Sequence, residues 1–440
     1  MELADKKASD AAGLTDGAGV TAGGARRRRR CNPAIILGSL GFALGLISLI
    51  FAIYAATVAR KGLTAANSGG GTGAVLSTDP RRGPAGAAFD GGLFAGSGYF
   101  APMRPMKYSR SDFRASPVGN DIYLTGGLTN EAAPIPGDAN STVAKPTGRA
   151  IPNLVRYDTY TGAARELAPM PEPRTRHAAA VYGNNIYIMG GLTDVSDPDK
   201  HDPAGTVLVY DVTKGTWSTL PGRLTTPRTD ACATAIDGKI YLMGGWAANY
   251  SAQLGGEVLD LKTGAWSPLP DGMIKRGDCE CAALDDCVFV VGGWGPEDFS
   301  NVSECYHPSK GAWSRRADMP RPRGDFAAEL LPGGRVLVLG GESGLPGKQG
   351  SNEHAMHHVD LYDFGDDVWT RKAPLPEARF RFDAAHVDQR VYVYGGQPTC
   401  TNSPKDNEAL GRQPCVKVAL DSTYVFLDID HPNTYLYTKQ

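Results

Sequence analysis

An apolar strand that ends in two glycines recurs six times along the chain. The six copies are "DIYLTGG" (121–127), "NIYIMGG" (185–191), "KIYLMGG" (239–245), "CVFVVGG" (287–293), "RVLVLGG" (335–341) and "RVYVYGG" (390–396). A strand that is apolar at nearly every position is typical of one covered on both faces. The paired glycines allow a kink and a close backbone approach that side chains would block. The pattern therefore predicts six repeated β-units.

The residues around each glycine pair repeat as well. A hairpin precedes the pair, and a second strand follows it and ends in a turn and a tryptophan, as in "VLVYDVTKGTW" (207–217). The tryptophans are Trp217, Trp266, Trp313 and Trp369, whereas Ala164 and Tyr435 stand at this position in the first and last units. Successive glycine pairs are 48 to 64 residues apart, close to the period of about 50 residues known for kelch repeats.

The chain thus resembles the kelch-repeat family, also called the galactose oxidase/kelch superfamily. The resemblance implies an all-β, six-bladed kelch β-propeller over residues 99–440, with four strands in each blade. Two alternatives complete the last blade: the C-terminal "TYVFLDI" (423–429) with "TYLYT" (434–438), or an N-terminal strand in "YFAPM" (99–103). We favour the N-terminal strand, because it mirrors "ELAPM" (166–170).

The segment before the repeats predicts a membrane anchor. Residues 34–59 carry no charge and exceed the roughly 20 residues that span a bilayer as a helix. Arg26 to Arg30 precede them, which favours a cytosolic N-terminus. We expect a disordered basic cytosolic tail (1–33), a single transmembrane signal-anchor helix (34–59), a flexible Gly/Ala-rich stalk (60–98) and a lumenal or extracellular propeller (99–440), as in the N-terminally anchored kelch proteins of plants and algae. The alternatives are a cleaved signal peptide and, with reversed topology, a cytosolic scaffold.

Two further features fit the secretory pathway (Golgi, endomembrane or plasma membrane). Asn140, Asn249 and Asn301 begin glycosylation sequons. Cys400 and Cys415 bracket one loop, while Cys287 and Cys305 lie at the ends of adjacent predicted strands, so both pairs are disulfide candidates. The pairing among the four cysteines between residues 279 and 305 stays open. The formal charge of −2 argues against binding nucleic acid.

Charged residues begin every repeat. An arginine opens each unit, at Arg110, Arg174, Arg228, Arg276, Arg323 and Arg379. Two residues later stand Asp112, Arg176, Asp230, Asp278, Asp325 and Arg381. We expect these twelve side chains to ring one mouth of the channel with a net charge of +4 and to receive an acidic partner. A structural role in each blade is the alternative for the first six. Arg176 and Arg381 break the aspartate pattern and are predicted to lack a partner within the chain.

Trp246 and Trp294 directly follow glycine pairs and complete the predicted binding face. The expected function is a non-catalytic module that binds a protein or glycan, with no catalytic residue, cofactor or metal ion. The alternative is a lumenal carbohydrate-active enzyme, an oxidase or epimerase, because the kelch superfamily includes copper radical oxidases and a sialate epimerase. The two histidines and two tyrosines that such an oxidase needs cannot be assembled at matching places in these repeats.

Overall fold

The computed structural model describes residues 98–129, 149–195, 201–272, 274–344, 354–398 and 420–428. The predicted tail and transmembrane segment, and the predicted stalk up to residue 97, lie outside these ranges. Among the residues that are described, no helix is long and apolar enough to cross a membrane.

Six four-stranded antiparallel sheets make up the described fold, and each sheet is one blade. The first strands are Arg114–Val118, Ala178–Tyr182, Cys232–Ile236, Glu280–Leu284, Ala327–Leu331 and Asp383–Val387. The second strands are Asp121–Thr125, Asn185–Met189, Lys239–Met243, Cys287–Val291, Arg335–Leu339 and Arg390–Tyr394. The third strands are Leu154–Asp158, Val207–Asp211, Gly256–Asp260, Ser303–His307, Val359–Asp363 and Thr423–Asp428. The fourth strands are Ala164–Leu167, Thr216–Thr219, Ala265–Pro268, Ala312–Arg316, Val368–Arg371 and Gly98–Pro102.

The blades close into a ring, because each first strand packs against the first strands of both neighbouring blades. These six strands line a central channel. The second strands lie one layer further out and are almost fully buried, as their apolar sequences predicted. The hydrophobic core lies mainly between adjacent blades, so it is a circle of interfaces around the channel. Leu337 and Leu339 of blade 5, for example, pack with Val391 and Val393 of blade 6.

The N-terminal strand closes the ring. Gly98–Pro102 is the outermost strand of blade 6 and pairs antiparallel with Thr423–Asp428 in the register Phe100 opposite Phe426. The two rings are 4.9 Å apart between centroids. Residues from both ends of the described chain therefore build one sheet, in agreement with the preferred alternative. Residues 429–440, which include Tyr435, lie outside the described part.

The glycine pairs are required where the second strand ends. Both glycines of every pair have positive φ; at Gly341 φ is +96°, and a Cβ there would lie 2.7 Å from the carbonyl oxygen of Gly324. After the pair, three blades carry a small extra hairpin within the described residues. These hairpins are Leu128–Thr129 with Arg149–Ala150, Trp246–Ala247 with Ser251–Ala252, and Glu342–Ser343 with His354–Ala355. In the second, the 3₁₀ turn Ala248–Tyr250 joins the two strands.

The tryptophans of the fourth strands tie neighbouring blades together. The indole of Trp217 donates to the carbonyl of Ala168 at 2.8 Å, and Trp313 and Trp369 make the same bond to Pro270 and Ala317. Each acceptor belongs to the segment that follows the preceding blade. The repeated tryptophan is therefore a structural residue of the ring.

Candidate functional site: the axial ring and the GG face

The six repeated arginines are buried inside their own blades. Their relative exposures lie between 0% and 4%, so they do not form a basic mouth. In five of the blades the guanidinium Nη1 donates to the carbonyl of the first glycine of the same blade's pair, as Arg228 does to Gly244 at 2.9 Å. In three blades it also pairs with an acidic residue near the start of the third strand, where the partners are Glu257, Glu304 and Asp360.

These contacts give the repeated arginine a structural role. It satisfies the carbonyl that the glycine kink turns inward, and it links the loop before the first strand to the third strand. Arg174 achieves the same link through Glu172 and Thr206, and Arg379 through Glu377 and Ser422. The prediction of a mouth with net positive charge is therefore wrong, because six of its eight arginines point into the blades.

The second set of repeated charges forms a ring around the channel axis. We call Asp112, Arg176, Asp230, Asp278, Asp325 and Arg381 the axial ring. The backbone N–H of each member donates to the carbonyl of the preceding member, and the N–H of Asp112 donates to Arg381, at 2.9 to 3.1 Å. All six have φ between 50° and 55°, in the left-handed region, where aspartate is among the better tolerated non-glycine residues. Six hydrogen bonds thus close a circle through all blades.

The ring lies at the end of the channel where the chain leaves each glycine pair. The residue before each ring member bridges to the residue after its blade's glycine pair, for example Thr229 to Trp246 and Gly277 to Trp294. We call this end of the propeller the GG face. The prediction that ring positions and post-glycine positions share one mouth is therefore confirmed.

Both ring arginines have partners within the chain, contrary to expectation. The Nε of Arg176 lies 2.9 Å from Oδ2 of Asp230, and the Nε of Arg381 lies 2.9 Å from Oδ2 of Asp325. Burial opposes ionisation of Arg176, but the surrounding carboxylates, above all that of Asp230, together outweigh it and raise the arginine pKa. Since Arg381 also lies 3.7 Å from Asp112, neither arginine waits for a ligand to supply its counter-charge.

Asp278 occupies the acidic side of the ring, between Asp230 and Asp325. One of its oxygens accepts a hydrogen bond from the indole of Trp246 at 2.7 Å. The nearest ring guanidinium, that of Arg176, is 3.8 Å from the other oxygen. Burial, reinforced by the carboxylates of Asp325 and Asp230, raises the pKa of Asp278 well above its ordinary value.

A second layer of charges lies deeper in the channel. Arg114 of blade 1 reaches across the axis to Glu280 of blade 4 at 2.5 Å and lies 3.9 Å from Asp383 of blade 6. Glu329 of blade 5 lines the same cavity, which measures about 260 Å³. Burial raises the pKa of Glu280 to about 7, although Arg114 opposes the shift. Burial and the Asp383 carboxylate raise the pKa of Glu329.

The channel is therefore acidic. Its two layers hold seven carboxyl groups, at Asp112, Asp230, Asp278, Glu280, Asp325, Glu329 and Asp383, and three arginines, at Arg114, Arg176 and Arg381. This charge removes the argument that the mouth selects an acidic partner.

An aromatic run crosses the GG face beside the ring. Trp294 is 40% exposed. Its ring stacks on that of Phe299 with 5.5 Å between centroids and packs edge to face with that of Trp246 with 5.9 Å between centroids. Trp246 is buried, and its carbonyl contacts His201, which in turn stacks on Tyr250. Tyr250 is 49% exposed. Of the two tryptophans that the sequence singled out, Trp294 is presented to solvent and Trp246 supports the ring.

Two disulfides lie in blades 3 and 4. Cys287 pairs with Cys305 within blade 4, the pairing that the sequence singled out, and Cys232 pairs with Cys281 across the two first strands. Cys279 is a free, buried thiol among the described cysteines, and burial raises its pKa to about 12. Cys400 and Cys415 lie outside the described residues.

The sequons differ in their surroundings. Asn249 is exposed on the GG face. Asn301 is half-buried, and its amide donates to the carbonyl of Met319 at 3.1 Å, a bond that a glycan would replace. Asn140 lies outside the described residues.

Sequence reasoning missed the deeper charged layer. Arg114, Glu280 and Asp383 each follow an axial-ring residue by two positions, and Glu329 follows Asp325 by four. Side chains two apart share one face of a strand. The available signal was a charge two positions after the ring residue, because the other repeats carry Ala178, Cys232 or Ala327 there.

Comparison with known proteins agrees with this architecture. The model of the Kelch motif matches residues 173–222, 227–273 and 275–320. Kelch-like protein terF of Aspergillus terreus is 26% identical over 305 residues, which cover 67% of this chain and 62% of that protein. Human Kelch-like protein 34 is 25% identical over 258 residues, 56% of this chain and 38% of that protein. The chain thus matches less than two thirds of the length of both relatives.

The solved structure of YjhT superposes with a TM-score of 0.57 and covers 73% of this chain and 96% of YjhT, at 13% sequence identity. This likeness concerns the fold alone. Six sheets around an acidic axis define the class of protein as a six-bladed β-propeller. The repeats that build the blades define its family, and the chain belongs to the kelch-repeat β-propellers.

Proposed function

We propose that this propeller is a protein-binding module that receives its partner on the GG face. Kelch propellers typically bind proteins. The observation that carries the proposal is the aromatic run, in which exposed Trp294 and Tyr250 lie on a support of buried side chains. Tryptophan and tyrosine are enriched among the residues that dominate binding energy at interfaces. Their fixed neighbours reduce the entropy that binding would cost.

The partner meets an aromatic surface with an acidic centre. We propose a protein whose contact site is apolar with basic residues that face the axis, since like charges across an interface disfavour binding. The expectation of an acidic partner rested on arginines that are buried. The other ligand that this surface accommodates is a glycan stacked on the exposed indole of Trp294.

The test compares partners of the full-length protein purified from its native cells. We expect the double variant Trp294→Ala/Phe299→Ala to lose a discrete set of co-purified proteins that the wild type retains. The matched control is Tyr160→Ala, because Tyr160 is 91% exposed in the turn between the third and fourth strands of blade 1. An unchanged set in the double variant, with an unchanged melting temperature, contradicts the proposal. If free sugar releases the co-purified proteins from the wild type, the ligand is a glycan that they carry.

We further propose that the propeller is displayed in the lumen of the secretory pathway or outside the cell, anchored by residues 34–59. The charge-free segment behind five arginines, two disulfides and an exposed sequon support this location. A glycosidase-shift assay tests it. We expect Asn249→Gln to reduce the shift and Asn301→Gln to leave it unchanged. A protein without any shift, and with a propeller that protease digests in intact vesicles, would be cytosolic.

A second candidate is an enzyme that acts in the channel. It is favoured by one observation, the Glu280 carboxyl group, whose pKa of about 7 suits proton transfer near neutral pH, in the cavity that Glu329 also lines. Turnover of a sugar panel by the wild type, absent in Glu329→Gln, would establish it. A wild type that turns over none of these sugars would count against this candidate.

A further inference from the structure

Three carboxylates of the axial ring converge on one point. Asp230, Asp278 and Asp325 each offer an oxygen that lies within 4.8 Å of the others. Oxygens bound to one Ca²⁺ at about 2.4 Å can be at most about 4.8 Å apart. The three side chains therefore lie within the upper limit of separation for oxygens that share a calcium ion, and the smaller Mg²⁺ would need them closer together.

One of these oxygens lacks a donor. Within the described part of the chain, Oδ1 of Asp278 has no hydrogen-bond partner, and the Asp278 side chain is only 3% exposed. Its other oxygen is held by the indole of Trp246, which orients the carboxyl group. A buried carboxylate oxygen without a hydrogen-bond donor is costly unless a cation or a proton meets it.

The formal charges of the ring point the same way. Its four aspartates and two arginines sum to −2, the charge that one divalent cation neutralises. The two arginines pair with Asp230 and Asp325 at 2.9 Å. Asp278 is flanked by aspartates on both sides, and the nearest ring guanidinium is 3.8 Å from it, so it is the least compensated of the three converging carboxylates. A small cavity of about 30 Å³ among these side chains has room for an ion and a water ligand.

We propose that the axial ring binds one divalent cation of the calcium type through Asp230, Asp278 and Asp325. The sequence predicted no metal, because the three residues are about 50 positions apart and each belongs to a different blade. The ion sits at the GG face end of the channel, where it links blades 3, 4 and 5.

Trp246 supplies a spectroscopic reporter for this site. An indole within hydrogen-bond distance of a ligand carboxylate can sensitise Tb³⁺, which substitutes for Ca²⁺. We expect the purified full-length protein to show tryptophan-excited Tb³⁺ emission that Ca²⁺ displaces. Calcium at about 100 times its Kd should raise the melting temperature by about 5 °C. Calorimetric titration should give one ion per chain.

The decisive variant is Asp278→Asn, whose side-chain oxygen can still accept the Trp246 bond. We expect it to weaken Ca²⁺ binding by at least about tenfold. Asp112→Asn is the matched control, because it changes the same ring at the position between the two arginines and should retain Ca²⁺-displaceable emission. If Asp278→Asn fails to fold, Asp325→Asn takes its place.

Two results would overturn the proposal. One is a wild type with neither Ca²⁺-displaceable emission nor a calcium-dependent melting temperature, which would mean that the cluster holds a proton instead. The other is equal Ca²⁺ affinity in Asp278→Asn and Asp112→Asn, which would place the ion elsewhere.

Discussion

At the scale of the residue, the same amino acid serves opposite purposes two positions apart. Arg174 is buried in its blade and supports the glycine kink, whereas Arg176 lies in the axial ring and compensates aspartates. Because both recur at a fixed spacing in the repeats, the sequence predicted that both line one charged mouth of the channel. Burial decides between the roles, because a guanidinium with no exposed surface cannot receive a ligand.

The structural role of the repeated arginine predicts its effect on stability. Arg323 is fully buried, pairs with Asp360 and donates to the Gly340 carbonyl. Arg323→Ala removes this donor and leaves the buried carboxylate to Arg371 alone, at 3.1 Å. We expect a loss of at least about 2 kcal/mol in the free energy of unfolding. Chemical denaturation measures it, and Arg315→Ala, which removes a half-exposed arginine paired with Asp318, should cost less than about 1 kcal/mol. Equal free energies of unfolding for the Arg323→Ala and Arg315→Ala variants would contradict the structural role.

The channel carboxyls predict a pH dependence. The pKa of Glu329 is raised above its ordinary 4.5 in the folded state, so the folded protein holds the proton more tightly than the unfolded chain. This contribution to stability is present below about pH 4.5 and is lost as the pH rises through the folded-state pKa.

Glu329→Gln mimics the protonated form and retains an acceptor for the N–H of His386. We therefore expect the variant to melt above the wild type at about pH 8 and to converge with it near pH 4.5. Glu166→Gln, a change at a partly exposed carboxylate, should follow the wild-type curve. A difference that is constant across the pH range would mean that the Glu329 pKa is unperturbed.

At the scale of the element, the glycine pair marks where the second strand must leave the sheet. The second glycine packs directly on the backbone that precedes the first strand of its own blade. A side chain there faces both an unfavourable φ and a steric clash, and these two costs add.

Replacing Gly341 by alanine should therefore destabilise blade 5 severely. The new Cβ would lie 2.7 Å from both the Gly324 carbonyl oxygen and the Phe326 Cβ. We expect a loss above about 3 kcal/mol in the free energy of unfolding. Gly311→Ala is the control, since Gly311 has a φ of +60° but no described neighbour within 4 Å of where its Cβ would lie, and it should cost only about 1–2 kcal/mol. If both variants lose a similar free energy of unfolding in a denaturation experiment, the cost comes from the backbone φ alone and not from the steric clash.

At the scale of the whole molecule, the ring depends on a strand from the other end of the described chain. The sixth blade takes its outer strand from Gly98–Pro102, so this contact joins residues more than 300 positions apart. A propeller closed in this way should lose stability as a whole when the closing strand is weakened.

The adjacent residues Phe100 and Tyr99 offer a matched test of closure. Phe100 packs on the buried ring of Phe426, whereas Tyr99 is 51% exposed. We expect Phe100→Asp to lower the melting temperature by several degrees, because it places a charge against an apolar core, and Tyr99→Asp to change it little. Equal melting temperatures would show that the strand contributes little to the closed ring.

The sequence by itself determined the repeated unit. Its double glycines, apolar strands and tryptophans are local features, and each blade forms mostly from residues close together in the chain, so their period predicted six blades. The arginine at the start of each blade was visible for the same reason, but its burial was not.

Only the tertiary structure decided what the axis contains. Asp230, Asp278 and Asp325 meet, and Arg114 reaches Glu280, because ring closure brings the first strands of all six blades around one channel. Their charges sum over six separate segments, and burial then shifts their pKa values by removing water. Neither effect can be read from one segment, since both depend on distances that exist only once the ring has closed.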